Sequence, residues 1–167
     1  MWGKVVNFNH RRASRKGGRA MVFMGTYEHT LDAKGRMFVP AKHREGLGNA
    51  VVIFKWILED CLYMMSEDAF AKFTEDLDNM PKSDEDANRI ERVLFPSAVT
   101  VELDAQNRVL IPADLRKYAN LEKDVAVVGV RSRVELWDLE TWRQRSQLDT
   151  KQAKSSITEL KNKGYKF

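Results

Sequence analysis

Residues 29–44 and 101–116 carry nearly the same text. The first reads His29-Thr-Leu-Asp32-Ala-Lys34-Gly35-Arg36-Met-Phe-Val-Pro40-Ala-Lys42-His43-Arg44, the second Val101-Glu-Leu-Asp104-Ala-Gln-Asn107-Arg108-Val-Leu-Ile-Pro112-Ala-Asp114-Leu-Arg116. A single offset of 72 aligns them, and six of the thirteen positions from Asp32 to Arg44 are identical. About one match is expected by chance at ordinary residue frequencies. The chain therefore contains an internal duplication. The same offset sets Cys61 to Ser66 opposite Arg133 to Asp138, and Phe70 opposite Trp142. A unit of roughly 45 residues seldom buries enough apolar surface to fold alone. Two related copies in one chain point to mutual packing as a pseudo-dimer; two are too few for a solenoid.

Within each copy the local signals repeat in order. Tyr27 to Leu31 alternates like a half-buried strand. Asp32-Ala-Lys34-Gly35-Arg36 reads as a turn, with Asp bonding back to the backbone and Gly supplying positive φ. Asn107 replaces Gly in the second copy and is the next-best tolerated residue in that region. Short return strands follow, then Pro40 and Pro112, which suit the first turn of a helix. Apolar runs at Ala50 to Phe54 and Val125 to Val128 each lead to a hairpin partner, Cys61 to Met65 and Val134 to Trp137. Between the copies, Ser66 is placed to cap a helix showing Phe70, Phe73 and Leu77, a core or assembly face. Ser83-Asp-Glu-Asp86 resembles a capping box that starts a second helix.

Composition narrows the function classes. No apolar run of about 18 residues exists, and positions 1–20 lack the stretch of a signal peptide, so a cytoplasmic protein is expected. The net charge of +4 is unevenly placed: positions 1–20 hold six Lys and Arg and no acid, leaving 22 basic against 24 acidic side chains in the body. Nucleic-acid binding by that body would need locally placed bases, not an overall field. The 1–20 segment reads either as a phosphate-touching arm or as a passive extension. Cys61, the one cysteine, reads as a buried small hydrophobe, and His29 and His43 as ordinary surface or strand histidines without metal spacing. No nucleophile, metal or phosphate-loop pattern argues for an enzyme, a cofactor or a small-molecule substrate.

The paired Asp-x-x-x-Arg motifs, each followed by an apolar triplet, Pro and a further Arg, resemble the MraZ proteins. These are bacterial transcription regulators with two swapped-hairpin units of the AbrB/SpoVT type. The resemblance covers roughly Phe23 to Trp142, including Phe23-Met-Gly-Thr-Tyr27 and Val127-Val-Gly-Val-Arg131; positions 1–20 fall outside it, and Asn107 departs from the usual Gly. It implies an α+β, β-rich fold: two βαββ swapped-hairpin repeats packed as an intrachain pseudo-dimer barrel, with connecting helices. The expected organisation is a basic disordered extension (1–21), a first repeat (22–70), connecting helices (71–97), a second repeat (98–142) and a polar, partly helical tail (143–167). It also implies a ring-like homo-oligomer, nucleoid-associated, on short direct repeats of double-stranded DNA upstream of its own operon for division and cell-wall genes.

The residues themselves supply a separate case for DNA. Lys34, Arg36, Lys42 and Arg44 gather on the first turn and helix, and Arg108, Arg116 and Lys117 on the second. Arginine at the tip of a two-stranded ribbon can donate bidentately to guanine in a major groove, while lysine suits phosphates. The first copy, being more basic, is expected to dominate. Asp32, Gly35, Asp104 and Asn107 are expected to shape the turns. Two alternatives stay open: the Asp–Arg pairs only brace the hairpins of an assembly protein, and Arg44 and Arg116 only cover the short helices with their stems.

Overall fold

The computed structural model describes residues 22–166; the basic segment expected to be disordered lies outside them. Each repeat is strand, turn, strand, short helix, hairpin. The first comprises β1 (Phe23–Thr30), β2 (Arg36–Phe38), α1 (Ala41–Leu47), β3 (Ala50–Lys55) and β4 (Leu62–Ser66). Then come α2 (Glu67–Asp78) and α3 (Glu85–Ser97). The second repeat comprises β5 (Val99–Glu102), β6 (Arg108–Leu110), α4 (Ala113–Tyr118), β7 (Asp124–Arg131) and β8 (Arg133–Asp138), followed by α5 (Leu139–Asn162).

Strand pairing interleaves the two copies. An antiparallel sheet runs β1-β7-β8-β4-β3-β5, and β2 pairs with β6 as a separate ribbon. The opening strand of each repeat finds its partner only in the other: β1 lies along β7 from Phe23 opposite Arg131 to Thr30 opposite Asp124, and β5 lies along β3. Neither copy could satisfy its own backbone donors and acceptors, which explains why the duplication is needed. The six-stranded sheet is open at β1 and β5, so the expected hydrogen-bonded barrel does not close.

The sheet is buried on both faces, which is why β3 and β7 read as continuous apolar runs and not as alternation. Val51, Ile53, Leu62, Met64, Val125, Val127, Val134 and Leu136 point toward the ribbon, α1 and α4, and meet Met37, Val109, Leu47 and Leu115. Val52, Phe54, Tyr63, Met65, Ala126 and Trp137 point the other way, against Phe70 and Leu77 of α2, Leu94 of α3 and Trp142 of α5. Gly25 and Gly129 face each other across β1 and β7, and a Cβ on Gly129 would stand 2.4 Å from the backbone nitrogen of Met24.

Several local expectations shift. Pro40 and Pro112 sit at the N-cap positions of α1 and α4, one position before the first turn. Ser66 caps α2 as expected, accepting from the Ala69 amide at 3.2 Å. The cap of α3 is Asp84, not Ser83, because its carboxylate accepts from both the Asp86 and Ala87 amides at 3.0 Å. The C-terminal stretch is an ordered helix from Leu139, capped by Asp138 and ended at Gly164 (φ 90). There the Gly164 amide donates to the Lys161 carbonyl and the Tyr165 amide to the Leu160 carbonyl, a Schellman stop that prevents fraying. The caps Ser66 and Asp138 stand at matched positions under the offset that aligns the duplicated motifs, so α2 and α5 are corresponding elements of the two repeats.

Candidate nucleic-acid interface

The β2–β6 ribbon pairs Arg36 with Leu110, Met37 with Val109 and Phe38 with Arg108. Two more bonds lengthen it: the Val39 amide donates to the Asn107 carbonyl, and the Ile111 amide to the Gly35 carbonyl, each at 3.0 Å. Alternation buries Met37 and Val109 completely. The opposite face therefore carries Arg36, Phe38, Arg108 and Leu110, with Phe38 and Leu110 51% and 47% exposed. Two guanidinium groups and two bare apolar side chains thus form a pseudo-twofold patch, one pair from each repeat.

The two turns have one shape. Asp32 Oδ1 accepts from the amides of Lys34 (2.9 Å) and Arg36 (3.0 Å), and Oδ2 accepts from Arg36 Nε at 2.7 Å. Asp104 repeats this with the amides of Gln106 (2.9 Å) and Arg108 (3.0 Å) and with Arg108 Nε at 2.8 Å. Gly35 (φ 79) and Asn107 (φ 59) both take the left-handed conformation, so the substitution leaves the turn unchanged. Hydrogen bonds from Arg36, the backbone amide first, hold the Asp32 carboxyl down at about 2. Asp104 is lowered as well, chiefly by the Arg108 side chain. Both carboxylates are ionised under ordinary conditions, and both hold their arginines by Nε.

The two arginines then differ. Arg36 meets Asp32 through Nε alone, and among the described residues its two terminal amino groups have no partner. Arg108 is committed further: Nη2 donates to Gln106 Oε1 at 2.6 Å and meets Asp104 Oδ2 at 2.8 Å, while Nη1 lies 3.6 Å from Asp32 Oδ2. It also lies over the Phe38 ring, 5.9 Å from its centroid. Arg108 ties one turn to the other, and its side chain is 19% exposed against 31% for Arg36.

Of the other residues singled out in the sequence, Lys34, Lys42 and Lys117 are exposed, whereas Arg44 and Arg116 are half-buried. Arg116 donates through Nε to the Ile111 carbonyl at 3.0 Å, and its guanidinium packs on Gly35, where a Cβ would come within 2.7 Å. It braces the first turn from the second repeat. Arg44 Nε is buried without a hydrogen-bond partner among the described residues. His43 is no surface histidine: it is 1% exposed, edge-on to Phe23 and Tyr27, and burial lowers its pKa. Cys61 is buried, and desolvation pushes its thiol far up, so no thiolate is available.

The sequence that builds these doubled Asp-turn-Arg sites has counterparts among known proteins. The family model "MraZ protein, putative antitoxin-like" matches the chain twice, over residues 22–93 and 94–163. The chain belongs to the MraZ family. A relative from Acetivibrio thermocellus, named transcriptional regulator MraZ, is 42% identical over 134 residues, 80% of this chain and 93% of its own. Both matched regions contain one Asp turn, one ribbon strand and one of the two corresponding capped helices, α2 and α5. Sequence reasoning missed Phe38 and Leu110. Their signal was present, since they stand at matched positions two places after each motif Arg, hence on the same strand face.

Proposed function

We propose that the chain is a sequence-specific DNA-binding transcription regulator that lays the β2–β6 ribbon into a major groove. The observation that carries this is Arg36: pinned through Nε by an ionised carboxylate, with two donors left over at the ribbon surface. A guanine edge offers two acceptors to such a fork. Because Asp32 already fixes the side chain, little rotamer freedom remains to be lost on binding. Lys34, Lys42 and Lys117 flank the patch as phosphate contacts, and Phe38 and Leu110 offer apolar contact to thymine methyl groups. Arg108, whose donors are occupied, has the bracing role at the second turn that a purely structural reading assigns to both. Arg116 supports the site from beneath, and Arg44 covers α1 with its stem.

A few contacts per subunit bind weakly, with a salt slope near −0.9 per neutralised phosphate. Identical subunits on evenly spaced repeats add roughly 10²–10⁴ through effective concentration. A ring-like homo-oligomer on direct repeats upstream of its own operon, for division and cell-wall genes, is therefore the assembly proposed, cytoplasmic and nucleoid-associated. In this reading residues 22–70 and 98–142 are the DNA-facing units, and 71–97 and 143–167 serve assembly. The test is a titration of the full chain against DNA from immediately upstream of its reading frame, at several salt concentrations. Steep salt dependence and preference over a scrambled duplex are expected. Equal affinity for both duplexes would overturn the reading.

A further inference from the structure

The matched helices α2 and α5 have diverged in charge and length. From Glu67 to Ser97, α2 and α3 with their connection hold nine acidic against four basic residues. Glu75, Asp76 and Asp78 close α2 with no base in its last turn. Acids at a helix C-terminus face the negative end of the dipole, so this arrangement is unfavourable within the subunit and favours a cation from outside. The same surface is apolar: Phe73, Met80, Ile90, Val93 and Phe95 are exposed. A cavity of about 390 Å³ opens between α2, α3 and β5, lined by Val52, Phe70, Ala71, Phe95 and Ala98 with Glu67 and Asp78 at the rim.

The opposite holds for α5. Its 24 residues span roughly 36 Å, whereas the six-residue β8 beneath it spans about 20 Å. Arg145, held by Glu59 at 2.6 and 2.7 Å, ends the docked part. Every residue from 147 to 159 is exposed, and from 150 to 166 five lysines face one glutamate. Leu148, Ile157 and Tyr165 are bare on this arm, and the Schellman stop keeps its end defined.

We infer that the C-terminal arm of α5 docks, through its lysines and Ile157–Tyr165 segment, on the acidic, apolar α2–α3 face of a second copy. This rests on the assembly reading above and supplies its interface. Contact between like helices would set acid on acid or base on base, so α5 of one copy must meet α2 of another. Repeated head to tail, that contact closes into rings or runs on as filaments.

Light scattering on three proteins tests it. The full chain should be a closed multiple of its 19.3 kDa monomer. A chain ending at Thr150, which keeps Trp142 and the Arg145–Glu59 pair, should fall to the monomer mass and lose only the helical circular dichroism of the removed half of α5 while keeping a cooperative melt. The triple variant Glu75→Lys, Asp76→Lys, Asp78→Lys, which removes the clash with the α2 dipole, should also be monomeric. Mixed, the two should form a one-to-one dimer, since one retains the face and the other the arm. A full chain that is itself monomeric would overturn the assembly reading. A full chain that assembles, with a truncated form that assembles equally, would overturn only this interface. A truncated monomer beside a triple variant that still assembles would move the arm's docking site elsewhere and also overturn it.

Discussion

Arg36 and His43 show how one side chain can be tuned by its immediate surroundings. Arg36→Ala removes a fork held by Asp32 at a half-exposed ribbon surface. Specific DNA affinity is expected to fall roughly tenfold or more, the weight of one bidentate base contact, while the thermal midpoint stays nearly constant. A matching loss of stability in a melting curve would assign the pair to bracing. Arg108→Ala should instead loosen both turns, because Arg108 reaches both carboxylates. His43 is buried and neutral, with its pKa held below the ordinary 6.5 by desolvation. The unfolded chain takes up a proton first as the pH falls, so stability is complete above about 6.5 and declines toward the lower folded value. The matched position in the second repeat is Leu115, also buried. His43→Leu should flatten the fall in melting temperature between pH 7 and 5, leaving the slope due to His29, which burial lowers in the same direction. An unaltered slope would rule His43 out as its source.

At the scale of elements, the ribbon and the β1–β7 pair depend on close approach. Gly129 is where β1 comes too near for any side chain, its Cβ position lying 2.4 Å from the Met24 nitrogen. Gly129→Ala must push β1 away from β7, and a cost of about 1–3 kcal/mol is expected, as for other overpacked sites. Urea denaturation measures it; a change below about 0.5 kcal/mol, the usual range for surface substitutions, would mean that β1 yields freely. The helices show the same dependence on neighbours. Periodicity at Phe70, Phe73 and Leu77 announces α2; Phe70 and Leu77 pack on the sheet, and Phe73 meets the Phe54 and Trp56 rings with one side while the other stays exposed. The polarity of the stretch beyond Trp142 suggests only a partly helical tail, because the apolar packing of α5 ends at Leu139 and Trp142 and its last contact with the body is the Arg145–Glu59 pair.

For the whole molecule, interleaving is what holds the two repeats together. Residues 22–97 alone would leave β1 without β7 and β3 without β5. That fragment and residues 98–167 are each expected to be unfolded or self-associated by circular dichroism and sedimentation, and to recover a cooperative melt when mixed. A fragment that folds alone as a monomer would refute the swapped arrangement. Charge distribution argues the last prediction. The body carries more acids than bases, so binding through it depends on the ribbon's own cations. Deleting positions 1–20 should therefore preserve specific binding in the DNA titration, and total loss would make the basic segment the reader.

The duplication, the order of elements, both turns and the two motif arginines were legible in the sequence, because each rests on local chemistry: an Asp that bonds its own backbone, a residue tolerant of positive φ, a proline that ends a strand. The family could be read from the same residues. Which copy each strand pairs with, the open sheet in place of a barrel, the burial of His43 and the unequal freedom of Arg36 and Arg108 were decided by the tertiary structure. Those properties depend on atoms far apart in the chain meeting in van der Waals or hydrogen-bond contact, and a linear pattern holds no information on which of two equivalent partners lies closer.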